Sequence, residues 1–129
     1  MEFHTFSEET LRTFTHSVFI KMGCNEEHSK LATDVLIQAD LRGIDSHGVA
    51  RLTGYVRLWE KGRINPKPNI KVVHETATTA TVDGDAGLGL VVAPFAMDLA
   101  IKKATELGLI TFSQNQIFKE TIDKIVNHK

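Results

Sequence analysis

The stretch Arg63-Ile64-Asn65-Pro66-Lys67-Pro68-Asn69 constrains the fold more than any other part of the chain. Each proline fixes its own φ and has no backbone N–H, so a helix cannot run through the segment. Two prolines so close together favour an extended, partly stiff linker. The hydrophobic pattern changes across it. Before it, apolar residues recur at helical spacing. After it come short runs rich in Val, Ile and Thr. Residues 1–69 therefore read as a helical segment, and residues 70–129 as the start of an α/β unit.

Three helices are expected before the linker. Ser7 can cap the first, with Glu8 and Glu9 at its positive end. Leu11, Phe14, Val18 and Met22 make its apolar stripe, and Gly23 stops it. Asn25, Glu26 and Glu27 repeat the start signal. Leu31, Val35, Leu36 and Ala39 form the second stripe, closed by Arg42 and Gly43. The third helix takes Ser46 as its cap, carries Val49, Leu52, Val56 and Trp59, and ends at Lys61 and Gly62.

Beyond the linker, 70–75 and 79–82 read as two strands. Asp83-Gly84-Asp85-Ala86-Gly87-Leu88-Gly89 is a turn cluster, and 90–107 has a helical pattern ending at Gly108. A third strand is expected at 109–112 and a weak amphipathic helix at 116–129.

Composition narrows the function. Lys and Arg number 15 against 16 Asp and Glu, a net charge of −1, which argues against a dedicated nucleic-acid binder. Apolar residues make up 42% of the chain, enough for a packed core. The single cysteine, Cys24, rules out an internal disulfide and fits a reducing cytosol. Neither a secretory signal nor an apolar run of membrane-spanning length is visible, so a cytoplasmic protein without a membrane partner is expected. The six histidines show neither H-x-x-x-H nor H-E-x-x-H spacing, and no metal site is expected.

The chemistry-bearing stretch is Asp40-Leu41-Arg42-Gly43-Ile44-Asp45-Ser46-His47-Gly48-Val49-Ala50-Arg51. If Ser46 caps the third helix, His47 takes its first position and Arg51 lies four residues on, on the same face. Arg can bind a carboxylate at two points, and His can move the proton of an adjacent alcohol or ketone. The same spacing equally suits a helix cap, turn glycines and a surface pair of Arg51 with Asp45 or Glu60. Gly84, Gly87 and Gly89 follow the order G-x-x-G-x-G, which is not the dinucleotide fingerprint. A tight strand-to-helix turn is the favoured reading.

Taken together, these residues resemble a known family. The run from Ala39-Asp40-Leu41-Arg42-Gly43 through Ser46-His47-Gly48 to Arg51-Leu52 is similar to the signature of the malate/L-lactate dehydrogenases. That group includes ureidoglycolate, sulfolactate and diketogulonate-type enzymes. In fold it is distinct from the Rossmann lactate and malate dehydrogenases. Gly62-x-Ile64-Asn65-Pro66-x-Pro68, Val82-Asp83-Gly84-x-x-Gly87-x-Gly89 and Ala96-Met97-x-x-Ala100-Ile101-x-Lys103-Ala104 follow in the family's order. The resemblance runs from about Phe6 to Gly108.

It implies an α+β fold, a helical segment joined to a mixed-sheet, non-Rossmann nicotinamide-binding domain. It implies a homodimeric oxidoreductase using NAD or NADP on a small 2-hydroxy or 2-keto acid. By match to the motif, His47 is the proton donor and acceptor, and Ser46 and Arg51 hold the substrate. From about residue 109 the chain departs from the family. The Asn-Ser-Asn-His-Phe-Gly stretch is replaced by Phe112-Ser113-Gln114-Asn115-Gln116, and the second family histidine has no equivalent. The chain is thus expected to hold the N-terminal part only, with an incomplete second domain. One alternative is a catalytically inactive remnant that associates with a full-length homologue. Another is a helix-turn-helix around Gly43 to Ser46 with Arg51, Arg57 and Lys61 on its recognition helix, which the acidic net charge opposes.

Overall fold

The structure, a computed structural model, describes residues 5–107. Its order is α1 (Glu8–Lys21), α2 (Glu26–Leu41), α3 (Leu52–Glu60), β1 (Lys71–Glu75), β2 (Ala80–Asp83) and α4 (Gly89–Leu107). This is the expected mixture of helices with a small sheet. The third strand expected at 109–112, the helix expected at 116–129 and the stop at Gly108 lie outside the described residues. Two compact units form among the described residues, one of 5–70 together with 84–93, the other of 71–83 together with 94–107. Helix α4 contributes to both, and the division within it falls at Pro94. Proline has no N–H to give to the preceding turn.

In the first unit the helix starts follow the local chemistry. The Ser7 hydroxyl accepts from Thr10 N–H at 3.2 Å, and Asn25 Oδ1 accepts from His28 N–H at 2.8 Å. At the end of α1, Gly23 takes a φ of +99° and Cys24 N–H donates to Phe19 C=O at 3.1 Å, satisfying a carbonyl the helix leaves over.

The buried face of α1 differs from the expected stripe. Thr15, Phe19 and Met22 are buried, whereas Phe14 is 57% exposed. Of the expected stripe, Met22 lies in the core, Val18 packs half-buried against it and Leu11 is half-buried, so Phe14 is the residue that departs. Helix α2 packs against it through Ser29, Ala32 and Thr33, all buried, with Leu36 and Ile37. Small residues on both helices permit a close approach, which a Phe14-centred stripe would prevent. The core comprises Phe19, Met22, Cys24, Ala32, Leu36, Leu52, Leu88 and Val91, with Tyr55, Val56 and Trp59 of α3 half-buried against it. Burial pushes the Cys24 thiol above its ordinary pKa.

The proline linker and the glycine-rich turn form one joint of this unit. Asp85 Oδ2 accepts from Asn69 N–H and from the Asn65 side-chain amide, both at 2.9 Å. Asn65 N–H in turn donates to Ala86 C=O at 2.9 Å. These bonds hold Asp85 and Ala86 at φ of 49° and 53°, left-handed values unusual for residues with a side chain. Gly84 and Gly87 answer a different need. A Cβ at 84 would lie 2.8 Å from Val92 Cγ1, and one at 87 would lie 2.8 Å from the Pro68 ring. Two of the turn's three glycines are thus set by the walls that press on them.

In the second unit β1 and β2 pair antiparallel, with Lys71 opposite Asp83, Glu75 opposite Ala80, and an irregularity between Val72 and His74. The Thr76 hydroxyl accepts from Thr79 N–H at 3.0 Å within the turn. From α4, Lys103 reaches this hairpin. Its Nζ donates to Thr76 C=O at 2.6 Å and pairs with Glu75 Oε1 at 2.8 Å. The lysine holds the Glu75 carboxyl below the usual carboxylate range.

Two measurements check these packings. Gly87→Ala should destabilise the chain by about 1–3 kcal/mol in urea unfolding, because the added methyl overpacks the linker joint. The Glu75 pairing should contribute to stability above the carboxylate's unfolded pKa and fade as pH falls through its lowered folded value. Melting temperatures followed below about pH 5 should therefore drop more steeply for the native chain than for Glu75→Gln.

Candidate functional site

The corner carrying Ser46 and His47 is built from the end of α2. Gly43, at a φ of 71°, turns the chain out of the helix. Gly43 N–H donates to Asp40 C=O and Ile44 N–H to Ala39 C=O, both at 2.9 Å. Two short 3-10 turns follow, Asp45–His47 and Val49–Arg51, separated by Gly48. Only then does α3 begin, at Leu52.

This corrects the expected start of the third helix. Ser46 makes no cap bond to a backbone N–H. Nor do His47 and Arg51 share one helical face, since each belongs to its own turn with Gly48 between them. The reason lies in Asp40. From the last turn of α2, its Oδ2 accepts from Val49 N–H at 2.8 Å. A carboxylate from outside the segment takes the N–H that starts the new turn, and the backbone breaks into two 3-10 turns to meet it. Gly48 is buried under this carboxylate, and a Cβ there would coincide with it.

The Ser46 hydroxyl instead sits 2.9 Å from His47 Nδ1. The structure thus brings Ser46 and His47 together, and both side chains are exposed. Arg51 is exposed and bonds to neither. Among the described residues it has no ion pair, so the surface pairing with Asp45 or Glu60 is not formed. One ring nitrogen of His47 is engaged by serine, and a free guanidinium stands four residues on. Asp40 is the residue that sequence reasoning missed. Its signal was a carboxylate in the last turn of a helix, where the macrodipole disfavours negative charge.

In the glycine-rich turn, Val92 and Pro68 take the space that side chains at 84 and 87 would need, while position 89 at the start of α4 is open. Among the described residues no cluster of His, Cys, Asp or Glu could hold a metal ion. No helix among them is long and apolar enough to cross a membrane.

The profile of the malate/L-lactate dehydrogenase family matches residues 6–117. The chain belongs to that family. The match continues past Gly108, where the motif resemblance stops. Among relatives, the L-sulfolactate dehydrogenase of Methanocaldococcus jannaschii is 50% identical over 92 residues, covering 71% of this chain and 27% of that protein. Hydroxycarboxylate dehydrogenase B of Escherichia coli is 42% identical over 106 residues, covering 82% of this chain and 29% of that one. The solved malate dehydrogenase of Pyrococcus horikoshii superposes with a TM-score of 0.76 at 44% identity, over 80% of this chain and 30% of that structure. The chain therefore spans under a third of the length of these malate/L-lactate dehydrogenase relatives, and within that span it has their fold.

The corner geometry makes a direct prediction. Because Ser46 caps no helix, Ser46→Ala should change unfolding free energy by no more than about 0.5 kcal/mol. Asn25→Ala, which removes a true cap, should lose about 1 kcal/mol. Chemical denaturation of the two variants separates them.

Proposed function

We propose that this chain carries the proton-transferring and carboxylate-holding part of a dehydrogenase that interconverts a 2-hydroxy acid and its 2-keto acid. The observation that carries this reading is the bond between Ser46 Oγ and His47 Nδ1, with an unpaired, exposed Arg51 four residues on, in a chain of this family. His47 is the proton donor and acceptor. Ser46 and Arg51 hold the substrate.

The roles follow from the bonding. With Nδ1–H donating to Ser46 Oγ, the neutral ring presents a bare Nε2 that takes the hydroxyl proton as the alcohol becomes a ketone. In reduction the imidazolium returns that proton from Nε2 to the new alkoxide oxygen. Nδ1 keeps its proton and its serine partner in both directions, so the ring holds its orientation while Nε2 cycles. The Ser46 hydroxyl hydrogen remains available to donate to a substrate oxygen. Arg51 fits the substrate carboxylate through its planar fork.

NAD or NADP is proposed as the hydride partner on the strength of the family. The homodimer and the cytoplasmic location expected of the family are proposed on the same ground. The division into a helical segment at 1–69 with the Ser-His corner and an α/β segment from 70 onward belongs to this proposal as well.

The test is a titration of the chain with pyruvate and oxaloacetate, with and without NADH, followed by nuclear magnetic resonance. Shifts centred on residues 46–51 are expected. Arg51→Lys should weaken the response roughly tenfold, because lysine cannot reproduce a two-point contact. Shifts scattered over the surface, or unmoved by substitution at 51, would sink the assignment. In a chimera completed with the remaining sequence of a relative, His47→Ala should reduce turnover by about 10²–10⁴-fold and leave NADH affinity nearly unchanged. Equal turnover would remove His47 from the chemistry. A silent chain that co-purifies with a full-length relative would point to the inactive, associating form.

A further inference from the structure

We infer that Asp40 is a positioning residue for His47, and that Asp40 and Gly48 act as a matched pair that sets the imidazole's direction. The inference rests on the reading of His47 as the proton carrier. It goes beyond that reading by assigning a role to a residue on a different element.

The geometry points to a clip. Asp40 is half-buried in the last turn of α2, where its own carbonyl already accepts from Gly43 N–H at 2.9 Å. A carboxylate in that place is opposed by the negative end of the helix and by desolvation. A charge-assisted bond from Val49 N–H, at 2.8 Å, offsets both. Val49 N–H opens the turn that leads into α3, so Asp40 performs from across the corner the capping that local sequence assigns to Ser46.

That substitution of one cap for another has a chemical consequence. A hydroxyl that accepts from the start of a helix is drawn away from the neighbouring side chain. Relieved of that task, Ser46 Oγ meets His47 Nδ1 at 2.9 Å. Gly48 completes the arrangement, because the volume a side chain at 48 would fill is the volume the Asp40 carboxylate occupies. Between His47 and Val49 the backbone is thus clamped on one side by a hydrogen bond and closed on the other by contact. The ring's aim follows from a carboxylate on another helix.

The experiment reads the ¹⁵N shifts of the His47 ring and the exchange protection of the Val49 amide, with thermal melts to confirm folding. In the native chain, Ser46→Ala should move the Nδ1 shift. In Asp40→Ala the Nδ1 shift should already lie at the Ser46→Ala position, and adding Ser46→Ala should move it no further. Val49 protection should fall at least about tenfold. Gly48→Ala should have the same effect in the native chain and little added effect in Asp40→Ala, where the space is vacant. Asp40→Asn, which keeps an acceptor oxygen in place, should retain most of the native shift.

If Asp40→Ala does not fold, Asp40→Glu serves instead. Its longer stem keeps the acceptor and should displace the Nδ1 shift. An unchanged His47 ring in a folded Asp40→Ala or Asp40→Glu overturns the inference, even where Val49 protection falls, because Asp40 would then be only a cap. None of these readouts needs a substrate. A chain silent towards keto acids would defeat the proposed function and leave this result standing, and the converse would hold as well.

Discussion

The hydrogen bond from Val49 N–H to the Asp40 carboxylate ties the last turn of α2 to the turn that leads into α3. Without it, the run from Asp45 to Arg51 would be free to begin a regular helix at Ser46. With it, the run breaks into two 3-10 turns around Gly48, and α3 waits until Leu52. The family's most recognisable stretch is therefore two things at once. Its Asp and Gly shape the backbone, and its Ser, His and Arg are presented by that shape.

A second joint has the same logic. The proline linker and the glycine-rich turn are separate motifs in the sequence. In the fold they are two halves of one contact, with Asp85 taking donors from Asn65 and Asn69 and Gly87 lying against Pro68. Motif glycines suggest phosphate binding only if their N–H groups face open space. Close packing against Val92 and Pro68 accounts for Gly84 and Gly87, and Gly89 alone faces open space. This joint lies in the same compact unit as the Ser46–His47 corner.

Much of the fold was legible from local chemistry. The caps at Ser7 and Asn25, the glycine stop at Gly23, and the strands near 70–75 and 79–82 all depend on atoms within a few residues of one another. The strands appear within about one residue of expectation. The site was legible in its residue types and only partly in its geometry. Ser46 and His47 are joined, but as a hydroxyl–imidazole pair rather than as cap and first helical residue. Periodicity placed Val18 and Met22 of α1 correctly and misplaced Phe14. It counts Phe14 as apolar and Thr15 as polar, while the small buried residues of α2 favour Thr15 at the contact.

By itself, then, the sequence determined where elements start and stop, which residues could carry chemistry, and, through several motifs in one order, the family. Tertiary structure alone decided that Thr15 rather than Phe14 of α1 is buried, which group caps the turn before α3, and what Ser46 is left free to bind. The reason is range. Caps and stops are settled by bonds between residues three to five positions apart. The corner is settled by a carboxylate nine residues from its donor and across a chain reversal, whose partner can be known only once α2 has ended and the backbone has turned back.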